Sequence, residues 1–281
     1  MIDSAPQMNA AEFSQLARIV HEESGISLPE TKRGLLAARI SRRLRILKMD
    51  NFSAYCGLLS SAQGVDERRN LLMAITTNVT AFFREAHHFD FMTREILPRL
   101  VAQAKAGGRV RIWSAACSSG EEAYSIAMTV LDVLPDAARY DFLILATDID
   151  PQMIEKANAG CYSAHDVRDI APAKREQYFL RAKERFEVHA HVRKILRFAE
   201  LNLHKEWPFH GRFDVIFCRN VVIYFDTPLR LKLWSKFAAG LNQGGHLMIG
   251  HSERIDGPAA QSFKLVGPTA YQLSQSLAPT Q

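Results

Sequence analysis

The chain has 281 residues, 47% hydrophobic and 23% charged, an ordinary balance for a soluble globular protein with material for one large domain or two modest ones. No apolar run approaches the roughly 20 residues of a membrane span, and the opening MIDSAPQMNAAEF lacks a basic start followed by an apolar core, so neither membrane insertion nor a secretory signal is expected. The four cysteines (Cys56, Cys117, Cys161, Cys218) are scattered without CxxC or CxxH pairing, which argues against a disulfide framework or zinc site and for reduced, cytoplasmic thiols.

Residues from about 9 to 75 read as helical. Phe13, Leu16, Ile19 and Val20 fall at helix spacing, and Ser24-Gly25-Ile26 with Pro29 ends that segment. The net charge is only +5, yet Lys32, Arg33, Arg39, Arg42, Arg43, Arg45 and Lys48 occur between Thr31 and Met49 with no acid among them. Leu36, Ile40, Leu44 and Leu47 form one stripe of this basic segment. Its charged side is either a plain solvated face or a docking surface for something acidic: nucleic acid, membrane headgroups or a carboxylate-rich protein helix. Two short helices, Ser53–Leu59 and Glu67–Ala74, complete an all-helical N-terminal domain over residues 1–75.

The pattern changes after Thr76. A polar-aromatic stretch, TTNVTAFFRE (Thr76–Glu85), precedes a helix from about His88 to Lys105, and residues 76–109 read as a linker with a lead-in helix. Strand and helix patterns then alternate: Val110–Ala116, Glu122–Leu134, Phe142–Thr147, Pro151–Ala159, Phe213–Cys218, Thr227–Leu241 and Gly245–Gly250, closed by a pair near Phe263–Val266 and Ala270–Leu273. Such alternation predicts an α/β domain over 110–281, a Rossmann-like parallel sheet covered by helices, with an antiparallel edge. Cys161–Phe198 interrupts it, and its β-like RFEVHA and HVRKILRF predict a small antiparallel β-subdomain over about 161–198 that either binds a partner or braces the preceding helix. Only the closing SLAPTQ reads as a frayed tail.

The chemistry gathers in RIWSAACSSGEE (Arg111–Glu122) and LILATDID (Leu143–Asp150). An apolar strand breaks into small residues before a helix, and a second strand ends on an acid, as a nucleotide-like cofactor at a sheet edge requires. Gly120 is the sole glycine in Ala115–Glu122, so the GxGxxG pattern is absent. Glu121 and Glu122 at the helix start would repel a phosphate and favour a cationic, hydroxyl-bearing ligand. S-adenosyl-L-methionine has that character: no phosphate, a sulfonium, an ammonium and a ribose diol.

TTNVTAFFRE, IWSAACSSGEEAYSIAM, ATDID, and IFCRNVVIYFD followed by GGHLMIGHSE together resemble the chemotaxis receptor methyltransferases of the CheR type, over essentially the whole chain. The resemblance implies the class I methyltransferase version of the Rossmann-like sheet, S-adenosyl-L-methionine as donor, S-adenosyl-L-homocysteine as product, no metal, and receptor glutamates as acceptors. Carried over motif by motif, Asn78, Thr80 and Arg84 would close over the donor, Glu121 and Asp148 would be its acidic contacts, with Asp148 suited to the ribose diol. Asn202 and Leu203 would lie near the adenine, Arg219 and Asn220 would line the site, and Tyr224 would stand near the transferred methyl. Arg84 and Tyr224 are thus the catalytic candidates.

Each assignment has a bland alternative. Asn78 and Thr80 can cap the following helix, Glu122 can support its own helix N-terminus, and Tyr224 can be a packed aromatic. Cys117 and Cys218 read as buried filler, and the ten histidines show no metal-ligand spacing. Arg39, Arg42, Arg43 and Arg45 become the docking candidates for the cytoplasmic helical domain of a chemoreceptor. Relatives that bind a receptor's C-terminal pentapeptide carry a longer, glycine-containing loop in the β-subdomain, whereas AKERFEVHAHVRK is shorter and has no glycine, so independence from such a peptide is expected. A nucleic-acid methyltransferase and a non-catalytic donor-binding adaptor are the rival readings. Against the first stand the missing zinc module, RNA-binding fold and (D/N)PPY motif, so no nucleic-acid partner is expected, and the enzyme is expected to be a monomer.

Overall fold

The computed structural model describes residues 7–274, so the first residues of the opening stretch and the SLAPTQ tail lie outside the described residues. The chain divides into two compact units, one of residues up to Thr77 together with Tyr224–Leu229, the other of Asn78–Ile223 with the residues from Arg230 onward.

The first unit holds four helices, α1 (Ala10–Ser24), α2 (Arg33–Leu47), α3 (Phe52–Ser60) and α4 (Val65–Ile75). A capping box starts α1: the Glu12 N–H donates to the Asn9 side chain at 2.9 Å and the Asn9 N–H to the Glu12 carboxylate at 2.9 Å. Gly25 ends it in the left-handed region at φ 75°, a backbone state glycine adopts without strain. Leu36, Ile40 and Leu44 of α2 join Phe13, Leu16, Val20, Phe52, Tyr55 and Leu71 in the core, while Leu47 is only half-buried. The same unit contains the segment after residue 223, because the Ser27 N–H donates to the Tyr224 carbonyl at 2.8 Å and His21 Nε2 lies 2.8 Å from Asp226. A single cut near residue 75 therefore does not divide the chain, since a loop from the later alternation belongs to the helical unit.

The second unit opens with α5 (His87–Phe91), which passes through a π-helical turn at Met92–Ile96 into α6 (Leu97–Lys105). The expected single helix thus widens for one turn just ahead of Pro98, which has no N–H to give to the preceding turn. Then come β1 (Val110–Ala115), α7 (Glu121–Val133), β2 (Phe142–Asp148), α8 (Pro151–Ala159), β3 (Cys161–Ser163), α9 (Pro172–Tyr178), β4 (Phe179–Ala182), β5 (Arg185–Val188), α10 (Ala190–Arg193), β6 (Leu196–Glu200), β7 (Phe213–Cys218), α11 (Thr227–Gly240), β8 (Leu241–Ile249), β9 (Phe263–Gly267) and β10 (Ala270–Leu273). Seven strands form one sheet in the order β6-β2-β1-β7-β8-β10-β9, the first five parallel and the last two antiparallel. β3, β5 and β4 form the separate antiparallel sheet.

One expected strand lies elsewhere. HVRKILRF does not join the small sheet: His191–Arg193 close α10, and Leu196–Phe198 open β6, which pairs parallel with β2 at the edge of the large sheet. Ile195 and Leu196 are buried there, so apolar burial against the sheet decides against a third hairpin strand. Among the described residues, no helix is long and apolar enough to cross a membrane.

Candidate functional site

Parallel pairing aligns the carboxyl ends of β6, β2, β1, β7 and β8 on one edge of the large sheet. The chain leaves β1 toward β2 on one side, while β7 flanks it on the other. That reversal is where an open α/β sheet leaves a crevice for a ligand.

The loop from β1 to α7 is wound tightly at this edge. Ala116, Ser118 and Gly120 all have positive φ, at 65°, 50° and 99°, a density of unfavourable backbone that persists only where the surroundings hold it. The Cys117 N–H donates to the Thr147 carbonyl at 2.9 Å and the Ser118 N–H to Asp148 Oδ2 at 2.7 Å. Gly120 has no room for a side chain, since a Cβ would stand 2.9 Å from the Ala157 Cβ and 3.1 Å from the Tyr162 hydroxyl.

Acids line the same edge. Asp148 is 6% exposed, and its second oxygen accepts the Asp150 N–H at 3.0 Å. Burial lifts its carboxyl above the usual range. Backbone donors thus take most of the carboxylate's capacity and leave room for one further hydroxyl. Glu121 is buried, accepts from the Ser119 hydroxyl at 2.8 Å, and is likewise lifted by burial. Asp150 caps α8 through the Gln152 N–H at 2.9 Å and accepts from Asn78 Nδ2 at 3.2 Å. The Ser118 hydroxyl donates to the Asn78 carbonyl at 3.1 Å, so the Asn78 segment is tied to both loops. Neither Asn78 nor Thr80 caps α5, whose N-cap is Ala86 with no side-chain bond. Thr80 is half-buried. Asn202, half-buried, accepts the His204 N–H at 2.9 Å, Leu203 is buried, and the Leu201 N–H donates to the Asp148 carbonyl at 2.9 Å.

A second charged group lies at the ends of β7 and β8. The Arg219 side chain is 2% exposed, with Nη1 3.3 Å from Glu122 and Nη2 3.5 Å from Glu85, and Nη2 also donates to the Arg84 carbonyl. Arg219 therefore does not present a free guanidinium to a ligand, because two carboxylates and a carbonyl already surround it. Glu122 accepts from the Ser114 hydroxyl at 2.7 Å and so serves this buried group as well as its helix. Burial pushes the Glu85 carboxyl up, but the His251 hydrogen bond and the Arg219 charge outweigh it and hold it at about 2. Asn220, at φ 59°, donates through Nδ2 to Glu85 at 3.4 Å. The Glu253 carboxylate accepts the N–H groups of Gly250, Asn220, Val221 and Val222 at 2.6 to 3.0 Å, pinning the turn after β7. Arg84 is half-buried and donates to the Val79 carbonyl at 3.0 Å.

Glu85, His87 and His88 bring ligand-type atoms within 4.8 Å of one another, a grouping that sequence spacing did not announce. Arg219 is already the cation beside Glu85. Burial and that charge hold the fully buried His88 down at about 3, and its Nε2 lies 2.9 Å from the Thr269 hydroxyl. Sequence reasoning also missed Asp150, Glu85 and Glu253. An acid directly before Pro151 was a readable cap signal; the reach of Glu85 and Glu253 to loops over thirty residues away was not.

The remaining candidates lie in the helical unit. Tyr224 ends a short 3-10 turn and is half-buried. Arg43 is not an open docking charge: it meets Glu67 through Nε at 2.9 Å and Nη2 at 2.6 Å, and Glu67 also accepts from Tyr55 at 2.8 Å and Asn70 at 3.0 Å. Arg39 is likewise engaged, with the carbonyls of Ile75 and Thr76 and the Thr77 hydroxyl. Arg42 and Arg45 are exposed.

A doubly wound sheet with this strand order, an acid ending its second strand and carboxylates where a phosphate binder would carry none defines the Rossmann-like class I methyltransferase fold. The chain belongs to the CheR methyltransferase family. Residues 78–272 match the family's SAM binding domain and residues 11–76 its all-alpha domain. A "Probable chemotaxis protein methyltransferase" of Rhizobium etli is 48% identical over 258 residues, covering 90% of this chain and 96% of the relative. The chemotaxis protein methyltransferase of Escherichia coli is 38% identical over 273 residues, covering 95% and 92%.

Proposed function

We propose that this chain methylates glutamate side-chain carboxylates of chemoreceptors, the methyl-accepting chemotaxis proteins, giving methyl esters for sensory adaptation, with S-adenosyl-L-methionine as donor, S-adenosyl-L-homocysteine as product and no metal. The observation that carries this reading is family membership over both units, beside relatives named chemotaxis protein methyltransferase. The site's chemistry supports the donor: buried carboxylates on tightly turned backbone suit a cationic ligand with hydroxyls and disfavour a phosphate.

When bound, the donor supplies an electrophilic methyl on a sulfonium. Asn78, Thr80, Arg84, Glu121, Asp148, Asn202, Leu203 and Asn220 would hold it, Asp148 through its remaining acceptor capacity, while Arg219 acts from behind through Glu122 and Glu85. The acceptor glutamate, with an unperturbed pKa of about 4.3, is already ionised at neutral pH, so the protein needs no general base. Its task is to place the carboxylate oxygen in line and to exclude water. Arg84 and Tyr224 are assigned to orienting the acceptor; a tight bidentate pair to the attacking oxygens would lower their nucleophilicity. Each ester removes one negative charge from the receptor helix, the local change that biases a signalling equilibrium.

Arg42 and Arg45 form the open part of the proposed receptor-docking face on α2. The turn between β4 and β5 is only Lys183-Glu184, with Lys183 at φ 56°, which supports independence from a receptor pentapeptide. The enzyme is proposed to work in the cytoplasm as a monomer. Tritiated donor incubated with receptor membranes tests the reading: alkali-labile label in receptor is expected, while label in nucleic acid, or none, would sink it.

A further inference from the structure

We propose that Glu85 is a positioning residue that holds the loops of the donor site in register, a role that rests on the donor-binding reading above. Three segments distant in sequence meet at this one carboxylate. From the end of β7, Asn220 Nδ2 donates to Oε1 at 3.4 Å and Arg219 Nη2 stands 3.5 Å from Oε2. From the end of β8, the His251 N–H lies 3.4 Å and its Nδ1 3.0 Å from Oε1. Glu85 itself closes the stretch that carries Asn78, Thr80 and Arg84.

The junction is held against backbone preference. Phe83, Glu85 and Asn220 have positive φ, at 53°, 57° and 59°, and non-glycine residues keep such angles only where other contacts fix them. Nor is there slack at the β8 end, where a Cβ on Gly250 would stand 2.4 Å from Asn220 Nδ2 and 2.9 Å from Glu253 Oε2. Replacing the carboxylate by an amide would aim either a neutral oxygen or an N–H at Arg219. The guanidinium would then lean toward Glu122 and slacken its hydrogen bond to the Arg84 carbonyl, moving the segment assigned to close over the donor. Glu85 need not touch the ligand to govern its binding.

Calorimetry with S-adenosyl-L-homocysteine tests the proposal on the full chain. Glu85→Gln should weaken binding about tenfold, the loss of one charge-assisted contact expressed as affinity. A merely structural residue would lower the folded fraction and the melting temperature while leaving the Kd of the folded protein intact. His251→Ala, at a side chain 69% exposed, keeps the question answerable if Glu85→Gln folds poorly; it should weaken binding about threefold. The double variant should bind no more weakly than Glu85→Gln alone, because both changes act through one carboxylate. Unchanged Kd in folded Glu85→Gln or in His251→Ala would overturn the role of Glu85 while leaving the methyltransferase reading standing. Wild-type protein that does not bind the probe would overturn both.

Discussion

Both units set an arginine against glutamate, and the two groups are built differently. In the helical unit, Arg43 meets Glu67 in a forked pair, and Tyr55 and Asn70 fill the remaining acceptor positions. In the sheet unit, Arg219 faces two carboxylates at 3.3 and 3.5 Å, and Arg219 Nε, Glu85 Oε2 and His88 Nδ1 lack hydrogen-bond partners. The first is saturated and lies within regular helices. The second is under-partnered and is surrounded by left-handed backbone at strand ends. A fully satisfied network fixes a fold, whereas the sheet unit's network holds strand-end loops in sparsely populated backbone.

The sharpest way to break this contrast is to open the helical clamp. Arg43→Ala leaves Glu67 buried without its counter-ion and should cost about 3 kcal/mol or more, read as early denaturant unfolding with calorimetric donor affinity unchanged. If Arg43→Ala instead folded normally and only lost receptor activity, Arg43 would be a docking charge after all. Gly120→Ala should instead place about 2 kcal/mol of backbone strain and crowding in the sheet unit, read as earlier unfolding of that unit together with weaker calorimetric donor affinity. Equal loss in the folding of both units would blur the distinction.

Acid should also separate the units. His88 and His246 are held at about 3 and about 4 in the folded chain, chiefly by burial, against about 6.5 when unfolded. The unfolded chain then binds more protons, so stability is complete above about pH 6.5 and is lost as pH falls below it. Lifted carboxyls at Glu121, Glu122 and Asp148 work in the opposite sense and offset part of the loss. The loss grows as pH falls from about 6.5 toward 5 and falls on the sheet unit, which holds both histidines. In Glu67, burial pushes the carboxyl up but its bonds from Arg43 and Tyr55 win and lower it, so its contribution persists until pH falls below about 4. Thermal unfolding from pH 7 to 5 that touches the helical unit first would refute this order.

The smallest effect belongs to the surface. Reversing Arg42 and Arg45 to glutamate should raise the KM for receptor about tenfold at low salt, with less effect at high salt. Donor binding should not change. Activity on receptor that ignores both reversals would remove the docking role from α2.

Sequence by itself carried the periodic and local features. The 3.6-residue stripes of α1 and α2, the β/α alternation, the acid ending β2 and the cap before Pro151 are written in neighbouring residues, and local physics reads them directly. The motif stretches also singled out the strand ends where the candidate donor residues stand. Tertiary structure decided which charges are free. Arg39, Arg42, Arg43 and Arg45 look alike in a helical run, yet the depth of Glu67 and the exit of α4 engage two of them. It also moved Ile195 and Leu196 from a hairpin to the sheet edge, gathered Tyr224–Leu229 into the helical unit, and brought Glu85 and His251 together from 166 residues apart. Those outcomes depend on burial and on long-range partners competing for the same polar atoms, which no local pattern encodes.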